Sequence, residues 1–244
     1  MKRGAITAVT HEPPTMTLIE HLEELRRRLI IVLVTVLGGA GLCLFFAGTI
    51  LDILRAPLPE AYSTIYFTNP ADAFSAQLKI AGFGGIALAM PMILFQVWRF
   101  VTPGLLANER RFVWPVMLGA VLLFATGIAV GYVVIPYALA FLLGFARPGL
   151  EPLLTIDGYI GFVTTMLLGF GVILEFPIVL IGLARVGVLS YARLAASRRW
   201  AVLVIVLLAI VLTPGGDPIS PLILSSVMYL LFEGSLLVIR ASRR

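Results

Sequence analysis

A chain of 244 residues with a mean hydropathy of +1.03, 60% apolar and only 13% charged residues lies far from the roughly 25% charged composition of soluble domains. Water cannot solvate most of such a surface, so lipid must, and one membrane domain is expected. The formal net charge is +5, and the one cysteine, Cys43, sits in an apolar run, which excludes a disulfide framework or a cysteine metal site within one chain.

Residues 1–28 carry Pro13, Pro14 and four glutamates before any long apolar run, and they do not read as a cleavable signal peptide. Leu18, Leu22, Leu25 and Leu29 recur at helical spacing, so this N-terminal segment should end in an amphipathic helix that feeds the membrane. Glu23 and Glu24 stand four residues before Arg27 and Arg28, the spacing of ion pairs on a solvated helix face.

Crossing a hydrocarbon core of about 30 Å takes roughly 20 apolar residues in helix. Intervals poor in charge predict spans at Leu29–Leu51, Ile80–Trp98, Val113–Tyr137, Tyr159–Leu183, Trp200–Leu212 and Pro221–Ile239. The fourth is interrupted by Glu175 and the sixth by Glu233. The expected fold is all-α: a polytopic membrane protein with six transmembrane helices within 29–239, the fifth and sixth short, and a tail at 240–244.

The first connection contains Pro57, Pro59 and Pro70, which exclude long regular helices. Its Asn69-Pro70-Ala71-Asp72 reads as an N-cap followed by proline at the first helical position, so a short ordered cap is expected there. In the second connection Pro103-Gly104 breaks the helix, and Trp98 and Phe100 suit the headgroup zone. The fifth connection, Thr213-Pro214-Gly215-Gly216-Asp217-Pro218, is a tight turn.

Assigning the connections alternately to two sides puts fifteen of the eighteen basic residues on one side, leaving only Arg55, Lys79 and Arg147 on the other. Basic residues near helix ends prefer the cytoplasm, so both termini are expected inside. The absence of an Arg- and Ser-rich transit segment favours the plasma (inner) membrane over an organellar one. Carboxylates are scarce on that inner side: Glu12, Glu20, Glu23, Glu24 and Glu109. A few placed carboxylates could capture a ligand with adjacent arginines through charge-assisted bonds to guanidinium, a site that lysine would fill poorly. Chemistry alone does not select that ligand.

Glu175 and Glu233 fall within spans, where an unpaired charge costs several kcal/mol. No basic residue lies inside any expected span, so protonation or hydration is expected for both. Such acids also fit a proton- or ion-coupled secondary transporter of small solutes, although no inverted repeat is visible. A membrane-embedded enzyme is disfavoured because His11 and His21 lie before the first span. No cofactor or nucleic-acid partner is indicated.

The chain resembles the TatC family, the multi-spanning subunit of the twin-arginine protein translocase. The resemblance rests on His21-Leu22-x-Glu24-Leu25-Arg26-x-Arg28-Leu29, Ala56-Pro57-Leu58, Gln96-x-Trp98-x-Phe100-x-x-Pro103-Gly104-Leu105, and Glu109-Arg110-Arg111. It continues through Phe170-Gly171-x-x-x-Glu175-x-Pro177, Thr213-Pro214 with Asp217, and Met228-Tyr229-x-Leu231-Phe232-Glu233. It implies a receptor for signal peptides bearing two consecutive arginines, assembling with TatA and TatB and with further copies of itself to export folded cargo. Glu24 and Glu109 would receive the arginines, with Phe100, Arg26, Arg110 and Arg111 around them. Glu175 and Glu233 would be intramembrane polar contacts for partner helices, and Pro57 and Asp217 would belong to the periplasmic cap. The family often has a polar residue, commonly glutamine, just beyond the last outer turn, where this chain reads Asp217-Pro218-Ile219-Ser220-Pro221.

Overall fold

The computed structural model describes residues 18–101, 113–185 and 187–241, and these are helical with no strand. α1 (Leu18–Phe45) and α2 (Ala47–Arg55) are followed by a 3-10 turn at Glu60–Tyr62 and by α3 (Asp72–Val101) and α4 (Val113–Leu143). Then come α5 (Ile156–Leu174), α6 (Phe176–Arg185), α7 (Tyr191–Ala196), α8 (Arg198–Leu212) and α9 (Ile219–Ala241). Five stretches are long and apolar enough to cross a membrane: Ile19–Phe45, Asp72–Phe100, Trp114–Leu143, Ile156–Arg185 and Ile219–Ala241.

Several expectations are corrected. The sixth apolar segment is not short, because α9 has 23 residues; Pro221 falls in its first turn, where the missing N–H does no harm. α8 is short as expected, at 15 residues, which is about 22 Å of helix. The first span does not reach Leu51, since α1 ends at Phe45 and α2 starts afresh at Ala47. The fourth segment is two helices, α5 and α6, separated at Glu175. Pro177 supplies the reason, because its ring removes an N–H and crowds the preceding turn.

α1 and α3 run antiparallel, with Arg28 beside Gln96 at one end and Gly39 beside Gly85 at mid-length. The backbones approach so closely that a Cβ on Gly85 would lie 2.6 Å from the Val36 carbonyl oxygen. α4 and α5 are antiparallel too, and a Cβ on Gly127 would lie 2.5 Å from the Phe170 carbonyl oxygen and 2.7 Å from Gly171 Cα. Such contact replaces the missing hydrophobic drive between helices in lipid with dispersion. α5 is the central element, with Ile160, Val163, Met166 and Phe170 fully buried. Buried residues form 61% of the apolar stretch of α5–α6 but 6% of that of α1. The exposed Leu33, Val34 and Leu37 of α1 therefore face lipid.

The arrangement has two chemically distinct ends. The basic end gathers the start of α1, the end of α3 and the α6–α8 region against the end of α9, where Arg240 lies over the Tyr191 ring, 5.9 Å from its centroid. At the acidic end the Tyr132 and Tyr159 hydroxyls donate to the Ile53 and Leu54 carbonyls at 2.8 and 2.7 Å, tying α2 to α4 and α5. Tyr66 N–H donates to Leu154 O at 2.9 Å and Ile156 N–H to Tyr66 O at 2.7 Å, which joins the two long connections by a parallel bridge. The ordered cap expected at 69–72 is present, but the side chain that carries it is Asp72. Its Oδ2 accepts the Thr68 and Asn69 N–H groups, each at 2.9 Å, the reach-back half of a capping box.

Gly127→Ala should cost about 1–3 kcal/mol through overpacking against α5, read as a lowered detergent thermal midpoint. Gly38→Ala, whose added Cβ meets nothing within 4 Å, should leave that midpoint unchanged.

Candidate functional site

Along α1, Glu24, Arg28 and Ile31 lie one helical turn apart on one face. Antiparallel packing brings that face to Gln96 and Arg99 of α3, and together with Arg27 these residues line a recess of about 130 Å³. Arg28 Nη2 donates to Glu24 Oε1, and Arg28 Nη1 reaches the Gln96 carbonyl oxygen at 3.4 Å. The two side chains are 11% and 21% exposed. The opposite atoms of the pair, Glu24 Oε2 and Arg28 Nε, are buried without a hydrogen-bond partner among the described residues. His21 stacks on Phe100 with ring centroids 4.3 Å apart and planes 23° from parallel, joining the start of α1 to the end of α3.

The expected pairing of Glu24 with Arg28 is thus present, although the pair is largely buried against α3 and is not a solvated face. Arg26 is exposed and does not line the recess. Glu109, Arg110 and Arg111 lie outside the described residues. Gln96 and Arg99 were not singled out by residue chemistry; their signal was the helical register that α3 shares with Trp98 and Phe100.

Glu175 stands at the break between α5 and α6, 7% exposed, and neither carboxylate oxygen has a hydrogen-bond partner among the described residues. Glu233 departs from expectation. It forms a two-point pair with Arg198, with Nε to Oε1 at 2.8 Å and Nη2 to Oε2 at 2.9 Å. A basic partner was excluded in sequence because Arg198 precedes the fifth apolar run, but α8 and α9 are antiparallel and the start of α8 faces the last third of α9. Lys79 likewise pairs with Asp157 at 2.7 Å between α3 and α5.

At the acidic end Pro57 is half-buried in the turn after α2, beside the Leu58 N–H that donates to Arg55 O at 3.0 Å. Asp217 is 2% exposed, and its Oδ1 accepts the Ser220 N–H at 2.7 Å. That is the geometry of a helix N-cap for α9. Asp217 Oδ2 and Ser220 Oγ are buried without hydrogen-bond partners among the described residues.

Comparison with known proteins gives one consistent result. The family described as Sec-independent protein translocase protein (TatC) matches residues 20–226. The chain is 37% identical over 228 residues to the Sec-independent protein translocase protein TatC of Carboxydothermus hydrogenoformans, covering 93% of this chain and 94% of that one. It is 35% identical to the Aquifex aeolicus protein of the same name, covering 94% and 97%. It is also similar to the crystal structure of a twin-arginine translocase receptor, TatC, with a TM-score of 0.78, 35% identity and coverage of 92% of this chain and all of that one.

Asp217→Ala should lower stability by about 0.5–2 kcal/mol through loss of the cap on α9, whereas Asp217→Ser should restore most of it. Detergent thermal unfolding of the two variants beside the parent measures the difference.

Proposed function

The chain belongs to the TatC family of Sec-independent protein translocase proteins, and from that membership we propose that it is a receptor for signal peptides bearing two consecutive arginines. Membership makes it a multi-pass membrane component of protein translocation, not a carrier of a small solute. The observation that supports the peptide assignment most is the free oxygen of Glu24. Arg28 occupies Oε1 and orients the carboxylate, while Oε2 is buried and has no donor among the described residues. An arriving guanidinium supplies the missing donor in a setting of low dielectric, where a charge-assisted bond is strong. Phe100, held flat on His21, gives the guanidinium an aromatic neighbour, a preference arginine has over lysine. Glu109 provides the second carboxylate in this reading, and Arg26, Arg110 and Arg111 set the surrounding charge.

In the same reading six helical segments cross the membrane with both termini in the cytoplasm, so that the basic end faces inward. α8 crosses although its length of about 22 Å falls short of a core of about 30 Å, which locally thins the bilayer. Glu175, buried with two unpartnered oxygens, offers a polar contact to a helix of TatA or TatB. The assembled receptor contains further copies of this chain.

A labelled peptide with an Arg-Arg pair should bind the detergent-purified protein at least about tenfold more tightly than its Lys-Lys twin, a difference of about 1.4 kcal/mol. Glu24→Ala and Glu109→Ala should each erase that preference, as read by fluorescence anisotropy. Equal binding of both peptides to all three proteins would refute the receptor assignment.

A further inference from the structure

The recess around Glu24 carries a charge imbalance that capture of arginines does not explain. Among the described residues three guanidinium groups, Arg27, Arg28 and Arg99, line it against one carboxylate, and Arg28 already engages that carboxylate. Neither Arg27 nor Arg99 forms an ion pair with a described carboxylate. In the proposed receptor Glu109 offsets one of these charges but comes with Arg110 and Arg111, so the surplus still repels the cationic peptide. An anion seated between Arg27 and Arg99 removes the repulsion and leaves Glu24 Oε2 for a cationic ligand.

Geometry narrows the class of anion. The recess is of phosphate size, at about 130 Å³, and paired guanidinium groups match phosphate oxygens. From its rim α1 descends with Ile30, Leu33, Val34 and Leu37 exposed on its surface, most of each side chain uncovered. Two arginines that pair with no described carboxylate, at the head of an uncovered apolar helix in a chain that spans a membrane, form a template for a headgroup with its acyl chains. Basic pockets between transmembrane helices take anionic headgroups in this way.

We propose that the recess between α1 and α3 holds the phosphate of an anionic phospholipid on Arg27 and Arg99, with the acyl chains lying along the exposed face of α1. The lipid is a counter-ion built into the site and does not depend on which peptide Glu24 receives.

The full chain, purified in a neutral detergent, is titrated separately with phosphatidylglycerol, with phosphatidylcholine of the same acyl chains and with inorganic phosphate, and retained lipid is counted by native mass spectrometry. Phosphatidylglycerol should be retained at least about tenfold more than phosphatidylcholine, and Arg27→Gln and Arg99→Gln should each weaken it about fivefold. The double variant R27K/R99K, which keeps both charges, should retain most of the binding. Glu24→Gln should hold phosphatidylglycerol at least as well as the parent while losing Arg-Arg peptide, so failure of the lipid site and failure of the peptide site give different patterns. Equal retention of the two lipids, unchanged retention in both single glutamine variants, or displacement of phosphatidylglycerol by equimolar inorganic phosphate would each overturn the proposal.

Discussion

An ionised group left alone in hydrocarbon costs several kcal/mol, and the placement of charge in this chain answers to that constraint. Lys79 meets Asp157 across α3 and α5, and Arg198 meets Glu233 across α8 and α9. Each pair joins the first turn of one helix to a residue about two turns in from the end of its neighbour, and so fixes how far one is shifted along the other. The remaining charges gather at the two faces. Glu175 is the exception among the described residues, buried at a helix break with neither carboxylate oxygen hydrogen-bonded to them.

The recess at the basic end applies the same rule in a half-completed form. Glu24 and Arg28 satisfy one another on one side only, each keeping an unpartnered buried atom. A closed network would be more stable in isolation, because each orphaned buried group costs about 1–3 kcal/mol. Leaving it open gives ligands something to complete, an acceptor for cations at Glu24 and donors for anions at Arg27 and Arg99.

Much of the architecture could be read from the residues because the bilayer imposes a length. Apolar intervals located every long helix, and Leu18, Leu22, Leu25 and Leu29 announced the amphipathic start of α1. The motif residues Glu24 and Phe100 do meet at the same end of α1 and α3, whereas Glu109, Arg110 and Arg111 lie outside what the structure describes. The missed ion pairs share one cause, contacts between residues distant in the chain. Arg198 is 35 positions from Glu233 and Lys79 is 78 from Asp157, so neither pair shows in any local pattern. Helix ends were misread where proline is permissive in a first turn, at Pro221, or disruptive, at Pro177. Arg28 was legible as the i+4 partner of Glu24, but its burial came from α3, which no feature of α1 alone reveals.

The hairpin of α8 and α9 has arms of unequal length, 15 residues against 23. With Arg198 pinned opposite Glu233, eight residues of α9 run on past the head of α8. That overhang is the ledge on which α7 rests, with Tyr191 under the Arg240 guanidinium. The brevity of α8 therefore leaves α7 its place, since a further turn at the head of α8 would run onto the part of α9 that α7 contacts.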